Sequence, residues 1–263
     1  MALHPAISIV SLLGTMSAPR RLALFSQDSA RAAPWVHALA VAGVPEAALC
    51  YGRLLLEGTG VAKDAAAALH WFRRAAAHGA ADALNMVGRC LDNGWGTPEN
   101  PAAAAEYYGR AAAAGHAWAR YNLGHLFLDG RGVTRDVVRA YSYYRRAAEQ
   151  GHERAMNLVG RCTEKGWGTL RDPAAAAEWY RRSAHAGYFR GQYNWATVLL
   201  ESGLSDEAAG WFERAAAAGT PAVRRSVTAL VHEIVSRGGD MSAFQRLAAR
   251  LNLAARSNEA SDS

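Results

Sequence analysis

The chain has 263 residues, 51% of them hydrophobic and 20% charged, with a formal net charge of +6 and a pI near 9.5. Its three cysteines make no disulfide framework and no apolar run is long enough to span a bilayer, which excludes a cystine-stapled scaffold and a membrane-spanning chain. The positive charge permits attraction to anionic partners without requiring one. Of the 29 basic residues only Lys63 and Lys165 are lysine, the mark of a GC-rich bacterial coding sequence rather than of selection for guanidinium chemistry.

Taken in order, residues 1–27 hold a short apolar run, Ala6 to Leu13, with no positive charge ahead of it, and Arg20 and Arg21 precede only Leu22 to Phe25. An export signal needs a basic start and a longer apolar middle. This segment is expected to be disordered or wrongly included, with Met16 as an alternative start, and the protein is expected in the cytoplasm; a periplasmic location follows only if residues 1–30 act as a signal. Residues 28–44 read as a half repeat that covers an open end, with Ala32, Trp35 and Gly43 in conserved-looking columns and Pro34 bending its helix or delaying its start.

The stretch from Ala117 to His152 is the unit from which the rest is copied. At a period of 36 residues it overlies 45–80, 81–116 and 153–188 without a gap, and 189–220 after deletion of four residues. Small residues recur at the third place (Ala47, Ala83, Ala119, Ala155, Gly191) and the eighth (Gly52, Gly88, Gly124, Gly160, Ala196), where two helices must approach closely. Aromatic pairs (Trp71 and Phe72, Tyr107 and Tyr108, Tyr143 and Tyr144, Trp179 and Tyr180) are expected to fill those notches, and Trp71, Trp179 and Trp211 are core by column.

Each full unit has Gly-x-Gly between its helices, at Gly58, Gly94, Gly130 and Gly166, because glycine tolerates the left-handed conformation that ends a helix. Asp64, Asn100, Asp136 and Asp172 then stand where a starting helix needs a cap, twice followed by proline at the first helical position. The unit is therefore helix, tight loop, helix, tight turn. Residues 221–255 form a degenerate capping repeat, broken at Gly238 and Gly239, and 256–263 are a polar, disordered tail.

The pattern of Ala, Leu-Gly, Gly-x-Gly-Val, Asp, Ala, Trp-Tyr, Ala-Ala and Gly at fixed offsets closely resembles the Sel1-like repeat, within the tetratricopeptide-like superfamily. The resemblance implies an all-α fold, a right-handed α/α superhelical solenoid, as one domain over 28–255. It also implies a binding role: a non-enzymatic scaffold or adaptor holding a partner protein or peptide in a concave groove. In such folds the second, fifth, ninth, twelfth and thirteenth places of each unit line that groove. By register these include Arg53, Asn85, Arg89, Trp118, Tyr121, His125, Arg154, Asn157, Arg161, Arg190 and Tyr193.

Those residue types fit an extended peptide, amides for its backbone, arginines for carboxylates and rings for apolar side chains. Glu57, Asp92, Asp129, Glu164 and Glu201 add an acidic strip, which suits a peptide of mixed charge and not a nucleic-acid backbone, where an unbroken basic track is wanted. The alternative is that these charges pair with one another across units. The second and fourth units share a private pattern that includes Asn85, Arg89, Cys90 and Trp95 in one and Asn157, Arg161, Cys162 and Trp167 in the other. Trp95 and Trp167 either pack over the loop of an adjacent unit or stand exposed as anchors.

The arginines beside the aromatic pairs, Arg73, Arg74, Arg145, Arg146, Arg181 and Arg182, are expected on a solvated outer face. Cys90 and Cys162 lie two units apart in one column, so regular stacking keeps them too far apart to bridge, and with Cys50 they read as apolar thiols in a reducing compartment. No catalytic motif stands out, and the scattered histidines form no metal cluster, His116 and His152 merely filling a position after a helix-ending glycine. The expected protein is thus a monomer with a protein or peptide partner, no cofactor, no nucleic acid and no membrane insertion. Cysteine-rich relatives described as binding or hydrolysing β-lactams supply the competing enzyme reading, and weak nucleic-acid binding is a third. Bacterial relatives in signalling, envelope and iron-uptake-linked assemblies suggest a setting without naming one.

Overall fold

The computed structural model describes residues 29–236 and 242–261; the expectations about residues 1–27 and the break at Gly238 and Gly239 lie outside them. Every described element is a helix. The chain divides into two compact units, one ending at Asp136 and the other beginning at Val137, and each is treated by itself.

In the first unit α1 (Ser29–Val41) is followed by α2 (Pro45–Glu57), α3 (Ala65–Ala76), α4 (Ala81–Asn93), α5 (Pro101–Ala113) and α6 (Ala117–Asp129). Helix α1 begins five residues ahead of Pro34 and runs through it, so the proline does not delay the start as expected. Asp64 and Asn100 cap α3 and α5 by accepting from the amides of Ala67 and Ala103 at 2.9 and 3.0 Å, and Pro101 occupies the first turn of α5. The helix pairs close because Gly52 and Gly88 leave room for the rings of Phe72 and Tyr108, both fully buried. Only the second member of each aromatic pair fills the notch: Tyr107 stands partly exposed under Arg110, whose guanidinium lies 5.5 Å from the ring centroid.

The second unit repeats the scheme with α7 (Val137–Glu149), α8 (Glu153–Lys165), α9 (Pro173–His185), α10 (Phe189–Glu201), α11 (Ser205–Ala218), α12 (Pro221–Ser236) and α13 (Ser242–Ser261). Asp172 caps α9 at 3.0 Å, and Gly160 admits the ring of Tyr180. Trp179 and Trp211 are half-buried rather than core, covered by Arg182 and Arg214 at 4.3 and 4.5 Å, whereas Trp71 in the same column is buried. Beyond the fifth repeat Phe212, Val227, Val231, Phe244 and Leu247 close a continuous apolar core between α11, α12 and α13. Helix α13 runs to Ser261, beyond Ala255, where the capping repeat was expected to give way to a tail.

Gly96 and Gly168 show why the second glycine of each Gly-x-Gly matters. Both have positive φ, 71° in each case. Both also press on backbone at the start of the second helix of the preceding repeat, Gly96 on Ala65 and Ala66 of α3 and Gly168 on Val137 and Val138 of α7, so any Cβ there would collide.

Candidate functional site

The first helices of the repeats carry the sequence-predicted site residues. In the first unit these are Arg53 on α2, Asn85 and Arg89 on α4, and Trp118, Tyr121 and His125 on α6. The three rings of α6 fall at i, i+3 and i+7, one face of a helix, and meet edge to face: Trp118 on Tyr121 at 5.8 Å and Tyr121 on His125 at 4.7 Å between centroids. Trp118 is 41% exposed, a large apolar surface left in water. Burial pushes the His125 imidazole down against the opposing pull of Asp129 and Asp92, so it joins this row as a neutral ring rather than as the cation of a basic strip.

Asn85 is buried, and its side-chain oxygen accepts from the amide of Asn122 at 3.2 Å, which ties α4 to α6 instead of leaving the amide to a peptide backbone. Arg53 is exposed, 3.9 Å from Asp82.

The second unit has the same wiring. Asn157 is buried and accepts from Asn194 at 2.8 Å, joining α8 to α10. Arg154 is exposed beside Glu153 at 3.8 Å and lies 5.8 Å from the Tyr188 ring. Arg190 is exposed over Phe189, while Tyr193 packs edge-on to Phe212 at 5.4 Å and belongs to the terminal core.

The private pattern of the second and fourth units has a physical basis. Arg89 lies over Trp95 at 5.0 Å and Arg161 over Trp167 at 5.2 Å, so arginine and tryptophan recur together because each guanidinium stacks on an indole of its own unit's loop. Trp167 is 39% exposed, and Trp95 is less so. Where the third unit has Arg131 in that column, it reaches back to Asp92 with an ion pair of 3.0 Å.

Two members of the acidic strip, Asp92 and Glu164, are engaged with structure. Asp92 also accepts from the Tyr108 hydroxyl at 3.4 Å. Glu164 accepts from the Tyr180 hydroxyl and from Lys165, at 2.7 and 2.8 Å, and the Lys165 bond foremost holds its carboxyl below the usual range. Burial pushes both phenols up, with the neighbouring carboxylates adding to it. Burial likewise raises the Cys90 and Cys162 thiols to about 11 and the Cys50 thiol by less, and all three are free. Arg73, Arg74, Arg145, Arg146, Arg181 and Arg182 are exposed as expected.

Two residues that the sequence reading dismissed have a defined role. His116 and His152 are the N-caps of α6 and α8: their Nδ1 atoms accept from the amides of Ala119 and Ala155 at 3.1 and 3.2 Å. An Nδ1 that accepts leaves the proton on Nε2, and at His116 that atom faces Asp82 at 3.3 Å. The signal available in the sequence was the position itself, one residue before each first helix, but histidine is not among the residues favoured there. Among the described residues no group of three or more metal-ligating side chains occurs, and no helix is long and apolar enough to cross a membrane.

This geometry has known counterparts. No curated protein sequence matches the chain. Among solved structures, a Sel1 repeat protein from Oxalobacter formigenes is 26% identical, with 87% of this chain and 96% of that one covered and a TM-score of 0.74. The protective antigen c5321 of uropathogenic Escherichia coli, with an SLR fold, is also 26% identical at a TM-score of 0.68, covering 85% of this chain; the match spans half the length of that antigen. The immunity protein Pa5087 of Pseudomonas aeruginosa shares the fold at 14% identity and a TM-score of 0.52, with 79% of each chain covered. The Sel1 repeat model itself matches residues 45–79, 81–116, 119–152, 153–188 and 190–220. With more than half its length in five such matches and helix-loop-helix pairs throughout, the chain belongs to the Sel1 repeat family of α/α solenoid proteins.

Proposed function

We propose that this protein is a non-enzymatic adaptor that holds a partner protein or peptide on the faces of its first helices. Sel1 repeat proteins generally mediate protein–protein interaction and are generally non-catalytic. The observation that carries the reading to this chain is the run of rings along α6, with Trp118 standing 41% exposed at its start. Rigid aromatics at a fixed helical spacing present much contact area for little ordering cost, the profile of an interface hot spot. Arg53 and Arg89 on the neighbouring first helices supply the charged contacts.

Nothing at the site favours a β-lactam-acting enzyme or a nucleic-acid binder. A nucleophilic cysteine needs a lowered pKa, whereas Cys90 and Cys162 are held protonated by burial. The basic groups alternate with carboxylates rather than forming a track.

The test replaces Tyr121 by a photo-crosslinking residue and, as control, Arg181 on the opposite type of helix, then irradiates lysate of the native cell. A protein adduct specific to position 121 and lost on Trp118→Ala supports the reading and identifies the assembly served, whether signalling, envelope or iron uptake. Equal adducts from both positions, or none from position 121, refute it.

A further inference from the structure

In the second, third and fourth repeats the loop rests on the repeat before it through its second glycine. Gly96 lies on the backbone of Ala65 and Ala66 at the start of α3, Gly132 on Pro101 and Ala102 at the start of α5, and Gly168 on Val137 and Val138 at the start of α7. All three have positive φ, from 67° to 71°, and a Cβ on any of them would overlap main-chain atoms. Two backbones come this close only where one of them brings glycine.

The fifth repeat breaks the series. It is four residues shorter, and α10 and α11 are joined by Ser202, Gly203 and Leu204 alone. The glycine that remains presses on nothing, since a Cβ on Gly203 would have no neighbour within 4 Å. The start of α9 is thus left without the loop that covers α3, α5 and α7. Burial follows this: Pro173 is exposed, whereas Ala65, Pro101 and Val137 at the same place are partly covered, and Asp172 and Ala174 on either side of it are exposed too. The third repeat's loop also grips the second, with Arg131 donating to the Asp92 carbonyl at 3.2 Å. The fourth repeat has no such loop after it, and Trp167 is 39% exposed where Trp95 is more covered. Leu170, 88% exposed, stands three residues ahead of Pro173, and Leu204, 48% exposed, ends the short turn, so an aliphatic side chain is left in water on each side of the gap in sequence.

We infer that the exposed first turn of α9 is a docking seat for a glycine turn of a partner protein, which takes the place of the loop missing from the fifth repeat. The occupant is specified by continuity with the three filled seats. Each is the same stretch of backbone at the same helix start, and each accepts a turn whose glycine has positive φ and no side chain to hold the two chains apart. The attraction is not the free end of the helix, because Asp172 already accepts from the Ala175 amide at 3.0 Å. The turns at Gly96, Gly132 and Gly168 are committed to their own seats, so the occupant comes from another protein. This seat lies on a second helix and is independent of the first-helix faces.

The probe is a head-to-tail cyclic peptide, Gly-Arg-Gly-Val-Thr-Arg-Asp, the sequence of residues 130–136, titrated into the full chain labelled with nitrogen-15 and followed by NMR. Wild type is expected to bind with a Kd of about 1 mM or tighter, read as saturating shifts of the Ala174 and Ala175 amide signals. The same peptide with alanine in place of its second glycine should bind at least about tenfold more weakly, because its Cβ enters the backbone of the seat. In a variant whose residues 202–204 are replaced by that seven-residue loop, the seat is filled from within the chain and the shifts at Ala174 and Ala175 should be lost. Circular dichroism checks the helicity of this variant, and the alanine peptide tests the same point on the unaltered chain.

No saturating shift in wild type, equal binding of the alanine peptide, or equal binding by the correctly folded loop-restored variant each overturns the inference. Shifts confined to the first helices, around Trp118 and Tyr121, place the peptide elsewhere and overturn it as well. So would a wild-type dimer that the restored loop converts to monomer, since a second copy of the chain would then cover the seat.

Discussion

Replacing Gly88 with alanine tests the close helix approach on which every repeat depends. A Cβ at this position would stand 2.6 Å from Cδ1 and 2.7 Å from Cε1 of Tyr108, nearly 1 Å inside ordinary contact. The Tyr108 ring has little room to yield, because it is fully buried and its hydroxyl donates to Asp92 at 3.4 Å. Overpacking of this kind costs about 1–3 kcal/mol, while alanine in a helix interior regains about 1 kcal/mol over glycine. The net expectation is a loss of up to about 2 kcal/mol, or a fall in Tm of up to about 8 °C for a chain of this size. Gly109 and Gly210 provide the control, since both are helical and a Cβ at either meets nothing within 4 Å. Gly109→Ala and Gly210→Ala should therefore each stabilise by about 0.5–1 kcal/mol. Urea denaturation followed by circular dichroism reads all three. If Gly88→Ala proves as stable as Gly109→Ala, the notch is not filled as described and the packing argument fails.

Loss of an imidazole cap leaves an orphan amide at the start of its helix, so His116→Ala and His152→Ala should each cost about 1 kcal/mol in the same denaturation assay, with His116→Asn restoring most of it. The Cys90 and Cys162 thiols, raised to about 11, expose roughly one thiolate in a thousand at pH 8. Native protein should accordingly react with a disulfide reagent far more slowly than the same protein in denaturant, and equal rates would contradict their burial. The His116 hydrogen bond foremost holds the Asp82 carboxyl below the usual range. A depressed carboxylate contributes stability above its unfolded pKa and loses it as pH falls through the folded value; stability measured from pH 5 down to pH 2 should fall less steeply in Asp82→Asn. For His125 the folded pKa is lowered by burial, so its contribution is complete above about 6.5 and lost as pH drops. His125→Phe should remove that part of the slope between pH 7 and pH 5.

The repeat made the fold readable because one spacing carried several independent physical demands. A glycine at the eighth place, an aromatic twenty residues later and an Asp or Asn at the second helix start have one common solution, and Gly88 with Tyr108 and the Asn100 cap meets it. Position within a column was less informative about how far a side chain reaches. Trp179 and Trp211 share the column of Trp71, yet they lie at the rim, because burial at that place depends on what the neighbouring helix offers and not on the unit itself. The asparagines illustrate a related point: Asn85 and Asn157 occupy first-helix faces, and each also meets an asparagine of the following repeat, a pairing at a separation of 37 whose partners are identified only once the helices are stacked.

The same logic separates what the repeat needs from what it merely permits. Residues required in every unit are explained by packing, and the engaged acids Asp92 and Glu164 join them once their bonds to Tyr108 and Tyr180 are seen. Candidates for recognition are the side chains that depart from their column and remain in water. By that criterion Trp118, Trp167 and Leu170 stand out, and Arg89 and Arg161 less so, since part of what each offers is spent on its own indole. Of the two arginines Arg161 is exposed, whereas Arg89 is half-buried with Nη1 3.6 Å from the Met86 sulfur. Two loops of the same pattern therefore differ: the one with Trp95 is followed by Pro98, and the one with Trp167 is followed by the exposed Leu170.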